Sequence, residues 1–163
     1  MIEIERKFLV TSSEYRNSAI SKERIVQGFL NTDPERTVRV RIKERSGFLT
    51  VKGKSNATGT TRFEWEKEIL VAEAEQLISL CKPVILKKTR YNVPYAGHLF
   101  EVDEFHGANE GLVIAEVELK SETEIFEKPS WLGIEITGDI RYYNSQLSKN
   151  PWSEYGFNVG NKP

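Results

Sequence analysis

The sequence has few residues of the types on which many enzymes depend. One cysteine, Cys81, excludes an internal disulfide, and because there are also only two histidines, the sequence argues against a zinc site. We expect Cys81 to be a core residue. No apolar run approaches the roughly 18 residues that a membrane-spanning helix needs, and no Gly-Lys-Ser/Thr phosphate loop is present. The chain opens with charged residues rather than a signal sequence, which predicts a cytoplasmic protein with no membrane partner.

Charge is abundant but balanced. Charged residues make up 29% of the chain, yet the net charge is −1, so no broad basic surface for a nucleic-acid duplex is expected. The length of 163 residues suits one domain of ordinary size. We expect residues 1–157 to form that domain and residues 158–163 to be a frayed tail.

Most of the chain alternates between apolar and polar residues, which is the period of a β-strand. Glycines at Arg45-Ser46-Gly47 and Tyr95-Ala96-Gly97-His98 predict hairpin turns, and consecutive hairpins predict an antiparallel sheet. A domain with about eight strands is a sandwich or a closed barrel. The predicted strands are 2–10, 25–31, 37–44, 48–54, 62–70, 84–95, 98–106 and 112–120, with a short one near 134–137.

Four helices are predicted between the strands. One covers residues 13–22, where the signal is weak, and another covers residues 71–81. The spacing of Ser121 and Glu124 is typical of a capping box, which predicts a short helix that ends at Pro129. Asp139 is expected to cap a last helix, whose apolar face would consist of Ile140, Tyr143 and Leu147.

Pairs of like charges share one face of most predicted strands. Residues i and i+2 of a strand point to the same side, about 7 Å apart. Because like charges repel, their repetition favours an opposite charge between them. The acidic candidates are Glu3, Glu5, Glu64, Glu66, Glu101, Asp103, Glu116 and Glu118. The basic candidates, equal in number, are Lys7, Arg39, Arg41, Lys52, Lys54, Arg62, Lys88 and Arg90.

Three interpretations of these faces are open from the residues alone. A sheet with one solvated face explains each strand but not the repeated pairing. An internal salt-bridge network would bury many ions at a cost of several kcal/mol each. A water-filled cavity explains the pattern better: carboxylates suit Mg²⁺ or Mn²⁺, arginine forks suit phosphate, and the charges of divalent ions and a triphosphate offset each other.

The opening segment, residues 1–10, resembles the Glu-x-Glu-x-Lys signature of the CYTH superfamily, the triphosphate tunnel metalloenzymes. One such motif is weakly specific, but the likeness continues in order along nearly the whole chain. Where close relatives often have Gln-Gly-Tyr-Leu, this chain has Phe29 in place of the tyrosine. The matching groups are Arg39/Arg41, Lys52/Lys54, Arg62/Glu64/Glu66, Lys88/Arg90, Glu101/Asp103, Glu116/Glu118 and residues 136–144.

The resemblance implies an α+β fold, in which an eight-stranded antiparallel β-barrel forms a tunnel with a few peripheral helices. It also implies Mg²⁺- or Mn²⁺-dependent hydrolysis of a small-molecule triphosphate. The short single-domain bacterial members, which this chain most resembles, tend toward inorganic triphosphatase. Adenylate cyclase of class IV, nucleoside or thiamine triphosphatase, and a polyphosphate- or nucleotide-binding barrel without turnover are the alternatives. A homodimer is compatible with any of them.

On this interpretation each charged residue has an expected role. Lys7 is expected to contact phosphate rather than to neutralise Glu3 and Glu5. Glu64 and Glu66 are expected either to orient the attacking water or to pair with the arginines. The expected metal ligands are Glu3, Glu5, Asp103, Glu116 and Glu118. The expected substrate-binding residues are Lys7, Arg39, Arg41, Lys52, Lys54, Arg62, Lys88 and Arg90. The candidate catalytic residues are Lys7, Lys52, Glu66 and Lys88.

Overall fold

The alternating segments form β-strands that occupy most of the chain. The structure, a computed structural model, describes residues 1–153 and 156–157, so the tail predicted at 158–163 lies outside the described residues. The strands are β1 (Ile2–Val10), β2 (Ser21–Asn31), β3 (Arg36–Lys43), β4 (Ser46–Gly53), β5 (Thr61–Ile69), β6 (Lys82–Tyr95), β7 (His98–His106), β8 (Val113–Glu118), β9 (Leu132–Glu135), β10 (Trp152–Ser153) and β11 (Gly156–Phe157). The helices are α1 (Tyr15–Ser18), α2 (Val71–Ile78) and α3 (Asn144–Lys149), with 3-10 turns at Gly107–Asn109 and Ile140–Tyr142.

The strands close into an eight-stranded antiparallel barrel, which confirms the predicted fold class. Their order is β5-β4-β3-β2-β6-β7-β8-β1, and β1 returns to pair with β5. The closing contact is short, because only Ile2–Ile4 pairs with Thr61–Phe63. Beyond it, β1 pairs with β9 along the same edge. In a closed barrel, every second side chain of each strand points into a shared interior, and the side chains between them point outward.

The two predicted hairpin turns differ in outcome. Ala96 and Gly97 have positive φ angles of 46° and 82° and connect β6 to β7 as predicted. The β3–β4 turn instead lies one position earlier, at Glu44 and Arg45, and Glu44 itself has a positive φ of 51°. Gly47 is a strand residue, and a Cβ atom there would lie 2.9 Å from the Ala74 Cβ atom. Its role is to let α2 approach the barrel closely.

An apolar cluster covers the outside of the barrel on β1, β6, β7 and β8. It is formed by outward-facing residues such as Phe8 and Phe100. Trp131 packs edge to face against Phe100, and Tyr15 of α1 packs edge to face against Trp131. The members are Phe8, Tyr15, Tyr91, Val93, Phe100, Val102, Ala115, Val117, Leu119 and Trp131. Because this cluster buries the outward parity of β1 and β8, their inward parity carries the charged residues.

A second apolar cluster fills one end of the barrel interior. Leu9 and Ile114 have the same parity as Lys7 and Glu116, so they extend the charged face of β1 and β8 into an apolar layer. Leu147 of α3, which is fully buried, packs into this layer and closes that end. The remaining buried members are Phe29, Leu86, Phe105, Leu112 and Ile136. The charged residues are thereby confined to the other levels of the barrel.

The helix predictions succeed only where packing supports them. Residues 71–78 are helical as expected, whereas only 15–18 are helical within the predicted 13–22. The helix predicted from Ser121 to Pro129 is absent from this described segment, because Glu124 contacts His98 and the backbone N–H of Lys120 instead of capping a helix. The last predicted helix is divided into a 3-10 turn, capped by Asp139, and α3.

Candidate active site

The inward-facing charged side chains enclose a cavity of about 170 Å³. Its cationic lining consists of Lys7, Arg39, Arg41, Lys43, Lys52, Arg62, Lys88 and Arg90. Its acidic lining consists of Glu3, Glu5, Glu64, Glu66, Glu101, Glu116 and Glu118. The structure therefore brings together all but two of the predicted site residues, and the exceptions are Lys54 and Asp103.

Carboxylates gather where β1, β7 and β8 lie side by side. Glu5 is directly opposite Glu118, and Glu101 is directly opposite Glu116. Like charges in such positions repel each other. Burial and the Glu116 carboxylate raise the pKa of Glu5, and burial together with Glu3 raises the pKa of Glu118. In this acidic face, defined as Glu3, Glu5, Glu101, Glu116 and Glu118, the neighbouring cations thus cancel the mutual repulsion of the carboxylates only in part.

Lys7 lies within the acidic face. Its Nζ atom is 3.5 Å from Glu5 Oε1 and 3.5 Å from Glu116 Oε1. Burial disfavours the Lys7 ammonium, but Glu116 and Glu5 outweigh that effect and raise its pKa. Contrary to the expectation from sequence, Lys7 does partly neutralise its glutamate neighbour Glu5 in addition to facing the cavity.

Lys52 connects the acidic face to β5. Its Nζ atom donates to Glu3 Oε2 over 2.8 Å and lies 3.1 Å from Glu64 Oε2. Arg62 also contacts Glu3, with Nε 3.5 Å from Oε2. Burial opposes ionisation of Glu64, but the Lys52 charge outweighs it and lowers the pKa of Glu64. Glu64 therefore pairs with a lysine, whereas the sequence predicted a pairing with arginines or a role in orienting water.

Arg39 and Arg41 share one carboxylate on the wall made by β3, β4 and β5. Glu66 Oε2 accepts from Thr50 Oγ1 at 2.7 Å, from Arg39 Nη2 at 3.3 Å and from Arg41 Nη2 at 3.4 Å. Burial and the Arg39 charge lower the pKa of Arg41 to about 10, so it stays charged at neutral pH. Among the described residues, the buried Nε atoms of Arg39 and Arg41 have no acceptor. These donors are suited to an anion in the cavity.

Asp103 lies behind the cavity lining rather than in it. Arg90 binds it through two nitrogens, Nε to Oδ1 at 2.7 Å and Nη2 to Oδ2 at 2.9 Å, and Lys88 Nζ lies 2.7 Å from Oδ2. Its residue exposure is 1%, and both oxygens are occupied by cations. This placement argues against the predicted role of Asp103 as a metal ligand. Glu101, which accepts from Arg90 Nη1 at 2.7 Å, is the β7 carboxylate that lines the cavity.

Lys54 is the other predicted residue that the structure places outside the cavity. It follows the last residue of β4, Gly53, and its side chain is 73% exposed. Its Nζ atom lies 3.5 Å from Glu35 Oε1 on the surface. Strand parity no longer determines the direction of a side chain beyond the end of the strand, so Lys54 does not follow Lys52 inward.

The segment that enters α3 forms the inner wall of the cavity and was not predicted to belong to the site. Tyr143, Asn144 and Ser145 line the cavity. Asn144 Oδ1 accepts from the buried Gln27 Nε2 at 2.8 Å and from Lys88 Nζ at 2.9 Å. Burial lowers the pKa of Lys88 to about 8, although Asp103 opposes the shift. Phe29 also lines this wall, and its ring belongs to the interior apolar cluster.

The acidic face has the donor chemistry of a site for a hard divalent cation. All of its ligand atoms are carboxylate oxygens. Burial and repulsion from Glu116 raise the pKa of Glu5, and a cation would relieve that repulsion. Within residues 1–153 and 156–157, three such side chains do not converge into a ready-made cage. Mg²⁺ typically takes one or two protein carboxylates and completes its shell with water and substrate phosphates. The residues present therefore fit such an ion.

A closed antiparallel barrel with an interior of paired acids and bases defines a known class of protein. The CYTH domain model matches residues 1–149, and the chain belongs to this family. It is 47% identical to an inorganic triphosphatase of Acetivibrio thermocellus, over 94% of this chain and 97% of the relative. It is 35% identical to an inorganic triphosphatase of Nitrosomonas europaea, over 91% and 97% respectively. The crystal structure of the inorganic triphosphatase NE1496 superposes with a TM-score of 0.65 at 34% identity, covering 90% of this chain and 93% of that one.

The described part of the chain contains no helix of the length and apolar character that a membrane crossing requires.

Proposed function

We propose that this protein hydrolyses inorganic triphosphate to pyrophosphate and phosphate, with Mg²⁺ or Mn²⁺ as cofactor. The observation that carries the proposal is the presence in one cavity of the acidic face and of a cationic wall, which is the cationic lining described above. Within the described part of the chain, buried arginine donors of this wall lack an acceptor. Anion binding alone needs only the cationic wall, so the acidic face favours catalysis with a cation. The names of the relatives support the same substrate.

The lining favours an inorganic substrate over a nucleotide. Its aromatic residues, among those described, are Phe29 and Tyr143. The Phe29 ring packs in the interior apolar cluster, and the Tyr143 ring lies near the cationic groups of Lys7 and Arg62. A nucleobase is usually bound by a free aromatic or apolar face. A cyclase or a nucleoside triphosphatase would need such a face.

The cationic wall would bind the phosphates and offset the charge that develops as the terminal P–O bond breaks. Arg39 and Arg41 present guanidinium donors whose orientation Glu66 maintains. Lys88 and Arg90 are oriented in the same way by Asp103. Water attacks the terminal phosphorus, and the electron pair of the broken bond leaves with pyrophosphate. Positioning and charge stabilisation of this kind dominate phosphoryl transfer.

The acidic face, Glu3, Glu5, Glu101, Glu116 and Glu118, would hold the divalent ion. When bound, the ion supplies charge neutralisation on the phosphate oxygens and makes a coordinated water more acidic. Lys7 lies between two of these carboxylates and would contact both the acidic face and the substrate.

We place the reaction in the cytoplasm, because the single cysteine suits a reducing compartment.

A substitution in the acidic face tests the proposal. Glu116→Gln keeps the shape of the side chain and removes its charge, so phosphate release from tripolyphosphate should fall at least about a hundredfold at fixed Mg²⁺. The Mg²⁺ concentration for half-maximal activity should also rise. Glu127→Gln, a change to an exposed carboxylate that does not line the cavity, is the matched control. Unchanged activity and unchanged metal dependence in Glu116→Gln would refute the assignment.

A further inference from the structure

Tyr143 occupies an unusual position between two cations of the site. Its ring centroid is 5.3 Å from Lys7 Nζ and 5.6 Å from Arg62 Cζ. Both distances are within the range in which the negative face of an aromatic ring attracts a cation. Tyr143 itself lines the cavity, at the end of the segment that leads into α3. One aromatic ring therefore contacts cations from two different strands, β1 and β5.

Lys7 and Arg62 have few other contacts that would define their positions. The ion pairs of Lys7 with Glu5 and Glu116 are both 3.5 Å long, and the ion pair of Arg62 with Glu3 is also 3.5 Å. These lengths exceed those of well-formed charge-assisted hydrogen bonds. The two cations also repel each other, because they face the same cavity. Without the ring, each side chain would be free to move onto its carboxylates and away from an incoming anion.

We propose that Tyr143 is a positioning residue, whose ring holds the Lys7 ammonium and the Arg62 guanidinium apart and directed at neighbouring phosphate groups. The inference rests on the proposed triphosphate chemistry and adds a residue that acts through Lys7 and Arg62. The ring carries the effect, since the one hydrogen bond of the hydroxyl to a described residue is a 3.4 Å contact with Ser55 Oγ. A polyphosphate is the ligand class that needs such spacing, because its neighbouring phosphates present separate charges to separate cations.

The test compares variants that remove the ring, keep it, or change only its charge distribution. Tyr143→Leu removes the ring and should raise the KM for tripolyphosphate about tenfold, with a smaller change in kcat. Tyr143→Phe retains the ring and should restore the KM to within about threefold of the original protein. Trifluorophenylalanine at position 143 keeps the shape but weakens the negative face, so its KM should approach that of the leucine variant. Tyr142→Leu is the matched control, because the Tyr142 ring packs on Phe157 instead.

Calorimetry with tripolyphosphate in EDTA supplies a readout that does not depend on turnover. Affinity should follow the same order as KM, with the leucine and fluorinated variants weakest. If the original protein binds tripolyphosphate but releases no phosphate, the proposed function fails while the Tyr143 inference can still be judged by affinity. If the fluorinated variant binds as tightly as Tyr143→Phe, or if Tyr142→Leu raises KM as much as Tyr143→Leu, the positioning role is refuted.

Discussion

Lys7 of β1 lies directly opposite Glu116 of β8, and its Nζ atom is 3.5 Å from Glu116 Oε1. The two residues are far apart in the chain and meet because β1 and β8 are neighbours in the barrel. Their contact joins the cationic wall to the acidic face. Any cation or phosphate that enters the cavity has to compete with this ion pair, so binding of the two should be coupled.

Two lysines that are separated by one residue should differ sharply in importance. Lys52 contacts Glu3 and Glu64 inside the cavity, whereas Lys54 is on the surface. Lys52→Met should lower kcat/KM for tripolyphosphate at least about tenfold, and Lys54→Met should leave it within about twofold. Steady-state kinetics of the pair measure the difference. Equal losses in both variants would contradict the placement of Lys54 outside the site.

Asp103 should affect phosphate binding rather than metal binding. Asp103→Asn weakens the orientation of Lys88 and Arg90, so the KM for tripolyphosphate should rise about tenfold. The Mg²⁺ concentration for half-maximal activity should stay within about twofold. Glu101→Gln, which changes the carboxylate of the same strand that lines the cavity, should instead shift the Mg²⁺ concentration for half-maximal activity. A large Mg²⁺ shift in Asp103→Asn would restore it as a metal ligand, and thermal melting checks that the variant is folded.

Lys88 should make the stability of the protein rise with pH in the alkaline range. Burial lowers its pKa from 10.5 to about 8, so between these values the unfolded chain binds more protons than the folded one. The free energy of unfolding, relative to that of Lys88→Met, should therefore increase on the order of 1–3 kcal/mol from pH 8 to pH 10. Urea titrations measure it, with the exposed Lys87→Met as control. A difference that stays flat across this range would contradict the buried position.

Leu147 should be a main support of the closed end of the barrel. It is fully buried in the interior apolar cluster, so Leu147→Ala should lower the free energy of unfolding by about 2–5 kcal/mol. Leu80→Ala, at a position that is 72% exposed, should cost less than about 0.5 kcal/mol. Chemical denaturation compares the two. Similar small costs would mean that α3 does not fill the barrel end.

The face of every charged candidate except Lys54 was predictable from the sequence, but the depth of each side chain in the barrel was not. Parity placed Glu101 and Asp103 on the same inward face, and the structure agrees. Only the packing of Arg90 and Lys88 determines that Asp103 lies behind the lining while Glu101 reaches the cavity. Periodicity measures direction along one strand, and depth depends on the neighbouring strands and their side-chain lengths.

Tertiary contacts also explain the elements that the sequence did not predict. The capping-box pattern at Ser121 and Glu124 does not begin a helix, because Phe126 packs edge to face against Phe8 and Phe100. This packing holds the segment, which has no regular secondary structure over residues 124–129, against the outside of the barrel, and it outweighs the local helix signals. Tyr143 was assigned to an apolar helix face, and its contact with two cations depends on the break before α3.

Phosphate release by the unmodified protein is the most direct test of metal-dependent hydrolysis of inorganic triphosphate. Tripolyphosphate, ATP, GTP and thiamine triphosphate would be compared at equal concentration with Mg²⁺, with Mn²⁺ and with EDTA, and the nucleotide products would be analysed. We expect tripolyphosphate to be hydrolysed at least about tenfold more efficiently than ATP, GTP or thiamine triphosphate, and only when a divalent ion is present. Preferred hydrolysis of ATP, formation of a cyclic nucleotide, or full activity in EDTA would contradict it.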